Sequence, residues 1–138
     1  MSQLDVDKIV PQSGTNLQIG EAGDTINLTT ATVNLPTGVG GTSWQAIKTA
    51  NFTAVAGEGY FVNTTSGVIT ATLPSSATIG NEVSIIDYAG TADTNNITIG
   101  RNGHNIQGAA SDMTVSTERA AFTLVYVDST QGWLLKDK

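Results

Sequence analysis

The stretch Asn95-Asn-Ile-Thr-Ile-Gly-Arg-Asn-Gly-His-Asn-Ile-Gln-Gly108 decides how the chain is to be read. Ile97 and Ile99 alternate with polar residues on one side of Asn102-Gly103, and Ile106 follows on the other. An apolar residue at every second position marks a half-buried strand, whereas a helix spaces them by three and four. Asn-Gly between such runs is the strongest short-range signal of a two-residue hairpin turn, because both central positions need positive φ. The stretch therefore predicts two strands turning at Asn102 and Gly103. The same corner carries His104, the only histidine, and Arg101, one of two arginines. A lone histidine in a chain without cysteine makes a poor metal site. His104 is accordingly expected to be structural or exposed, not catalytic.

The same period continues outward in both directions. Phe52-Thr-Ala-Val55 and Tyr60-Phe-Val-Asn63 flank Ala56-Gly-Glu-Gly59, and Val68-Ile-Thr-Ala-Thr-Leu73 is stopped by Pro74. Glu82–Asp87, Asn96–Gly100, Asn105–Gln107, Met113–Val115 and Gly132–Leu135 read as further short strands. Ala120-Ala-Phe-Thr-Leu-Val-Tyr-Val127 is apolar on both faces, the mark of a central buried strand. Eight or nine short strands between turn signals point to a β-sandwich or jelly roll over residues 44–138. Trp44 and Trp133 bracket this head and are expected in the core or at a subunit interface; an exposed one would serve as a sugar-stacking platform.

Upstream the pattern changes. Leu17/Ile19, Ile26/Leu28 and Val33/Leu35 are apolar pairs separated by turn residues. Strands this short cannot close a core within one chain, so identical copies in neighbouring chains are their economical partners. Pro36-Thr-Gly-Val-Gly-Gly-Thr-Ser43 reads as a flexible linker. Residues 14–43 thus form a short β shaft with a Gly-rich linker, and residues 1–13 an N-terminal arm.

Composition narrows the function. The 138 residues carry 6 Lys plus Arg against 12 Asp plus Glu, a net charge of -6. Phosphate binding needs clustered basic residues, so nucleic acid is not an expected partner. No apolar run approaches the roughly 20 residues of a membrane helix, so membrane insertion is not expected. With no cysteine, thiolate metal sites and disulfides are out. There is no Gly-x-Ser-x-Gly, and His104 is the sole candidate base for a serine hydrolase. Asp87, Asp93, Asp112, Glu118 and Asp128 fall in loops or at strand ends, where scattered acids are ordinarily solvated. Asp93-Thr-Asn95 starts like a calcium loop, but no glycine stands at its sixth position and His104 stands at the twelfth. No catalytic residue, no metal and no cofactor is expected.

Two sets of residues carry a resemblance. Gly14-Thr-Asn-Leu-Gln-Ile-Gly-Glu-Ala-Gly-Asp-Thr-Ile-Asn-Leu28 is similar to the repeated shaft segments of bacteriophage tail fibres. Tyr60-Phe-Val-Asn-Thr64, Leu73-Pro74, Asp87-Tyr-Ala-Gly90, Asn96-Ile-Thr-Ile-Gly-Arg-Asn-Gly103, Ile106-Gln-Gly108, Tyr126-Val-Asp128 and Gly132-Trp133 resemble the C-terminal head of fibre proteins from phages of aquatic bacteria, cyanophages above all. The resemblance implies an all-β homotrimer in the virion. Its N-terminal arm would dock on other virion proteins of the tail, baseplate or capsid. An intertwined β shaft and a sandwich head would follow, and the head would bind a host-surface glycan or protein. It brings no catalytic residues. Such fibres usually have many shaft repeats and this chain has few. A capsid or tail decoration protein without receptor binding is therefore the alternative, and a polysaccharide-cleaving spike a more remote one. In a trimer docked by its arm, head loops lie farthest from the particle. Asp93, Asn95, Asp112 and Ser129, from three polar loops, are the receptor-binding candidates.

Overall fold

A computed structural model of the protein describes residues 41–136. The expected arm and nearly all of the expected shaft lie outside the described residues. Within them the chain is all-β, with nine strands and no helix. The strands are β1 (Ser43–Trp44), β2 (Phe52–Thr53), β3 (Glu58–Val62), β4 (Ile69–Thr72), β5 (Glu82–Asp87), β6 (Ile97–Gly100), β7 (Met113–Val115), β8 (Ala121–Asp128) and β9 (Gly132–Leu135). They make two sheets, one ordered β1-β3-β5-β8-β9 and the other β2-β4-β6-β7.

The connectivity is not that of a jelly roll, which is antiparallel throughout. β1, β3 and β5 pair in parallel in the first sheet, and β2, β4 and β6 pair in parallel in the second. The chain therefore winds, laying one strand in each sheet per circuit. Parallel neighbours need a long crossover, and here the crossover is itself a strand of the facing sheet. The circuits lengthen as they go: Ser43 lies opposite Glu58, but Ile69 lies opposite Ile97. Only the last three strands turn back, β7 antiparallel to β6, β8 to β5 and β9 to β8. Short strands read from alternation fix what pairs with something, not the direction of the partner.

One core lies between the sheets. Tyr60, Val62, Val83, Ile85, Leu124, Tyr126 and Trp133 enter it from the first sheet, and Ile69, Ala71, Ile97, Ile99 and Val115 from the second. Trp133 is 0% exposed and meets Tyr126 edge to face at 5.5 Å. Phe52 of β2 tilts against Tyr60 of β3 at 4.6 Å, linking the two sheets.

Three expectations change here. Most of Ala120–Val127 lies in β8, but only Leu124 and Tyr126 of that strand are buried. The strand enclosed most completely is β5, between β3 and β8. Asn105–Gln107 is not a strand; Ile106 makes only isolated bridges to Ala109 and Trp133. Asn102 and Gly103 do have positive φ, 48° and 91°, and the His104 amide donates to the Arg101 carbonyl at 3.0 Å across them. That turn nonetheless does not join paired strands, since β6 finds its antiparallel partner in β7 beyond it.

Candidate functional site

The winding places the loops on two opposite rims. Leaving β1, β3 and β5, the chain crosses through residues 45–51, 63–68 and 88–96; the β7–β8 connection, 116–120, joins this first rim. Returning, it crosses through 54–57 and 73–81. Residues 101–112 and the β8–β9 turn lie with these on the second rim. The chain also enters at the second rim, where the Ser43 amide donates to the Gly57 carbonyl at 2.9 Å.

The first rim is built around Asp87. This carboxyl group is only 1% exposed. Its Oδ1 accepts from the backbone amides of Gly90 and Thr91 at 3.1 and 3.4 Å, and its Oδ2 from those of Ala92 and Arg119 at 3.2 and 3.0 Å. One side chain thereby fixes the β5–β6 and β7–β8 loops together. Arg119, at φ 59°, donates from its guanidinium to the Tyr88 carbonyl at 2.8 Å. Its side chain lies over Gly90 so closely that a Cβ there would sit 2.5 Å from Nε. The Thr64 and Thr91 hydroxyls meet at 2.9 Å. The outcome is a firmly held rim that presents Tyr88, 47% exposed, with Asp93, Thr94, Thr65 and Glu118.

The four receptor-binding candidates do not come together. Asp93 is exposed on the first rim, its carboxylate accepting only from the neighbouring Thr94 hydroxyl. Asn95 is half-buried on the same rim and donates its side-chain amide to the Thr64 carbonyl at 2.9 Å, a structural task. Asp112 lies beyond the other end of β6, accepting from the Arg101 amide at 2.9 Å. Ser129 is exposed in the β8–β9 turn, where Asp128 Oδ1 accepts from the Thr130 and Gln131 amides. That turn joins the second rim through the Asn105 side chain, which donates to the Thr130 carbonyl. The length of β6, roughly 13 Å for four residues, separates the two pairs.

His104 is half-buried in the second rim. Its Nε2 donates to the Ser75 carbonyl at 3.0 Å and its ring meets Tyr126 edge-on at 5.1 Å. These contacts tie the 101–112 loop to the 73–81 loop, as does Asn102, whose side-chain amide donates to the Leu73 carbonyl. Near the chain entry a cleft of about 360 Å³ is lined by Glu58, Asn81, Glu82, Ser84 and Lys136. Lys136 and Glu82 are paired there at 3.0 Å. The Glu58 carboxylate accepts from the buried Tyr60 hydroxyl, whose oxygen in turn accepts from the Val55 amide. Among the described residues no group of three or more His, Cys, Asp or Glu is placed to hold a metal ion, and no helix is long and apolar enough to cross a membrane.

The outer faces of the two sheets differ sharply. The second sheet turns out Thr53, Thr70, Thr72, Thr98 and Thr114. The first sheet turns out Trp44, Phe61, Ile86, Ala121, Val125 and Leu134, with the Ser84 and Thr123 hydroxyls bonded to each other at 2.9 Å. Trp44 stacks on Phe61 at 4.9 Å and is still 47% exposed. Sequence reasoning passed over this face. Its signal was present in the doubly apolar pattern of Ala120–Val127, which was read as burial inside one chain.

No protein-family model matches the chain, and no curated protein matches it.

Proposed function

We propose that the protein is a virion fibre protein of a bacteriophage: a homotrimer that docks through its N-terminal residues and contacts the host surface with its β head. The observation that carries this reading is the division of the head into two rims. The chain enters at one, and the other is a rigid set of loops locked on Asp87. Loops displayed on a stiff β scaffold are where recognition residues ordinarily sit. Tyr88, Asp93, Thr94 and Thr65 form a small polar surface with one aromatic side chain, a chemistry suited to sugar hydroxyls and a sugar face. Weak sites repeated three times gain strength by avidity on a repetitive glycan. The apolar pairs Leu17/Ile19, Ile26/Leu28 and Val33/Leu35 of the sequence support the trimer, since strands as short as that pattern predicts would need neighbouring copies to bury their apolar side chains.

The reading is tested with the full chain. Sedimentation equilibrium is expected to give three times the chain mass at micromolar concentration; a stable monomer rejects the fibre architecture. Fluorescently labelled protein is expected to bind intact cells of a susceptible cyanobacterial strain and to compete with phage adsorption. A trimer that binds virions but no cells would favour the decoration reading, which the large apolar outer face of the first sheet also fits.

A further inference from the structure

The geometry points to the outer face of the first sheet as the surface through which the heads of three copies pack on one another. This rests on the trimer reading above and names the head residues that make the contact: Trp44, Phe61, Ile86 and Ala121, with Val125 at the margin. The contrast between the two sheets is the first ground. A chain rich in threonine places it at each outward position of β4 and at those of β2, β6 and β7 that carry a side chain. At outward positions of β1, β3 and β5 it places Trp44, Phe61 and Ile86, beside Gly59, Ser84 and Glu82. Sheets that meet water alternate apolar with polar residues, and parallel sheets are ordinarily covered on both faces. The β1-β3-β5 part of the first sheet is parallel and has no second cover among the described residues.

The second ground is where the rest of the chain joins. Residues 1–40 lead into the head at Gly41, and the first element beyond is β1, which carries Trp44. Copies held together through those residues bring their β1 strands close before any other part of the head. The third ground is charge. The chain has a net charge of -6, so copies repel in general. The outward positions Trp44, Phe61, Ser84, Ile86, Ala121 and Thr123 carry no charge, and Glu82, opposite Val125 on the same face, is paired with Lys136 at 3.0 Å.

A second copy fits this face better than a sugar does. The Ser84 and Thr123 hydroxyls at its centre are bonded to each other, and the Trp44 ring is already stacked on Phe61. Gly59, opposite Trp44 in β1, keeps the surface low: a Cβ there would lie 2.6 Å from the indole and from Thr42. An aromatic anchor beside small residues, ringed by polar groups, is how subunit interfaces are commonly built.

The test uses the full-length protein and its two tryptophans, of which Trp133 is fully buried. Sedimentation first establishes the mass. Iodide quenching of wild type and of Trp44→Phe then isolates the Trp44 emission by difference. A trimer with Trp44 shielded nearly as well as Trp133 is expected. A trimer whose Trp44 is quenched freely overturns the inference and leaves the trimer reading intact, whereas a monomer removes both. Shielding that develops only when host polysaccharide is added would make the face a glycan site and also overturn the inference. Ala121→Lys puts a charge at the middle of the face, and Thr114→Lys does so on the second sheet. The first is expected to weaken trimer association roughly tenfold or more, and the second to leave it unchanged. Equal behaviour of the two variants counts against the face.

Discussion

At the scale of single residues, Asp87 and Tyr60 do the most to hold the head together. Asp87 satisfies backbone amides of two loops from a fully enclosed position. Removing it strands buried donors, each costing about 1–3 kcal/mol when unpaired. Asp87→Ala is therefore expected to lower the stability measured by urea denaturation by about 3 kcal/mol or more; a loss under ~1 kcal/mol would mean water replaces the carboxylate easily. Tyr60 governs behaviour in alkali. Burial pushes its phenol up from 10.0 to about 12, aided by the Glu58 carboxylate it donates to and opposed by the hydrogen bond from Val55. The folded state thus holds this proton more tightly than the unfolded chain does. The contribution is whole below pH 10 and is lost as pH rises from there through about 12. Thermal midpoints followed across that window are expected to fall more steeply for wild type than for Tyr60→Phe. Parallel falls would assign the alkaline transition to another group.

At the scale of elements, the alternation of side chains located the strands well. Glu82–Asp87, Met113–Val115 and Gly132–Leu135 come out with the bounds the sequence suggested, most others shift by a residue or two, Asn105–Gln107 forms no strand, and β1 was not foreseen. Partner and direction were not legible. Ile97-Thr-Ile99 would read the same beside a parallel β4, an antiparallel β7 or Ile106, because period two reports only which face is buried. The apolar outer side of β8 misled for the same reason: a pattern cannot say whether its cover comes from the same chain. Of the first-rim surface only Asp93 was singled out in the sequence; Tyr88 was not, Asn95 is half-buried in a structural role, and the constellation required knowing which loops share a rim. The end of the chain offers a sharp test of one packing detail. Asp128 pairs with Gly132 across an irregularity in the β8–β9 ladder, and Gly132 adopts φ 71° there. A Cβ on Gly132 would lie 1.8 Å from the Asn105 carbonyl oxygen, which also accepts from the Trp133 amide. Gly103, at φ 91°, has open space around it. Gly103→Val is expected to cost about 1–3 kcal/mol, from backbone strain alone. Gly132→Ala must also displace backbone and is expected to cost more than Gly103→Val despite the smaller side chain. The reverse order in chemical denaturation would show that the Asn105 loop yields freely.

At the scale of the whole head, the winding decides what can act together. Each circuit carries the chain from one rim to the other, so loops adjacent in sequence alternate between ends, while loops a full circuit apart become neighbours. Asp93 and Asp112, separated by β6 alone, face opposite ways, whereas Arg119 and Tyr88 meet through a hydrogen bond. A replacement series that mixes the rims would blur two different surfaces. Asn95→Ala would also weaken the fold, since its amide holds the Thr64 carbonyl. The informative comparison is therefore Tyr88→Ala with Asp93→Ala on one rim, against Asp112→Ala with Ser129→Ala on the other. If the head recognises a host surface from the rim opposite its chain entry, the first pair is expected to reduce adsorption to cells by roughly tenfold or more, as aromatic anchors do at recognition surfaces. The second pair lies at the end where the chain enters and is expected to leave adsorption unchanged, with a modest drop in thermal midpoint from the lost Asp112 contact to the Arg101 amide. Loss of adsorption in the second pair alone would move recognition to the entry rim, where the cleft lined by Glu58, Glu82 and Lys136 would become the site to examine.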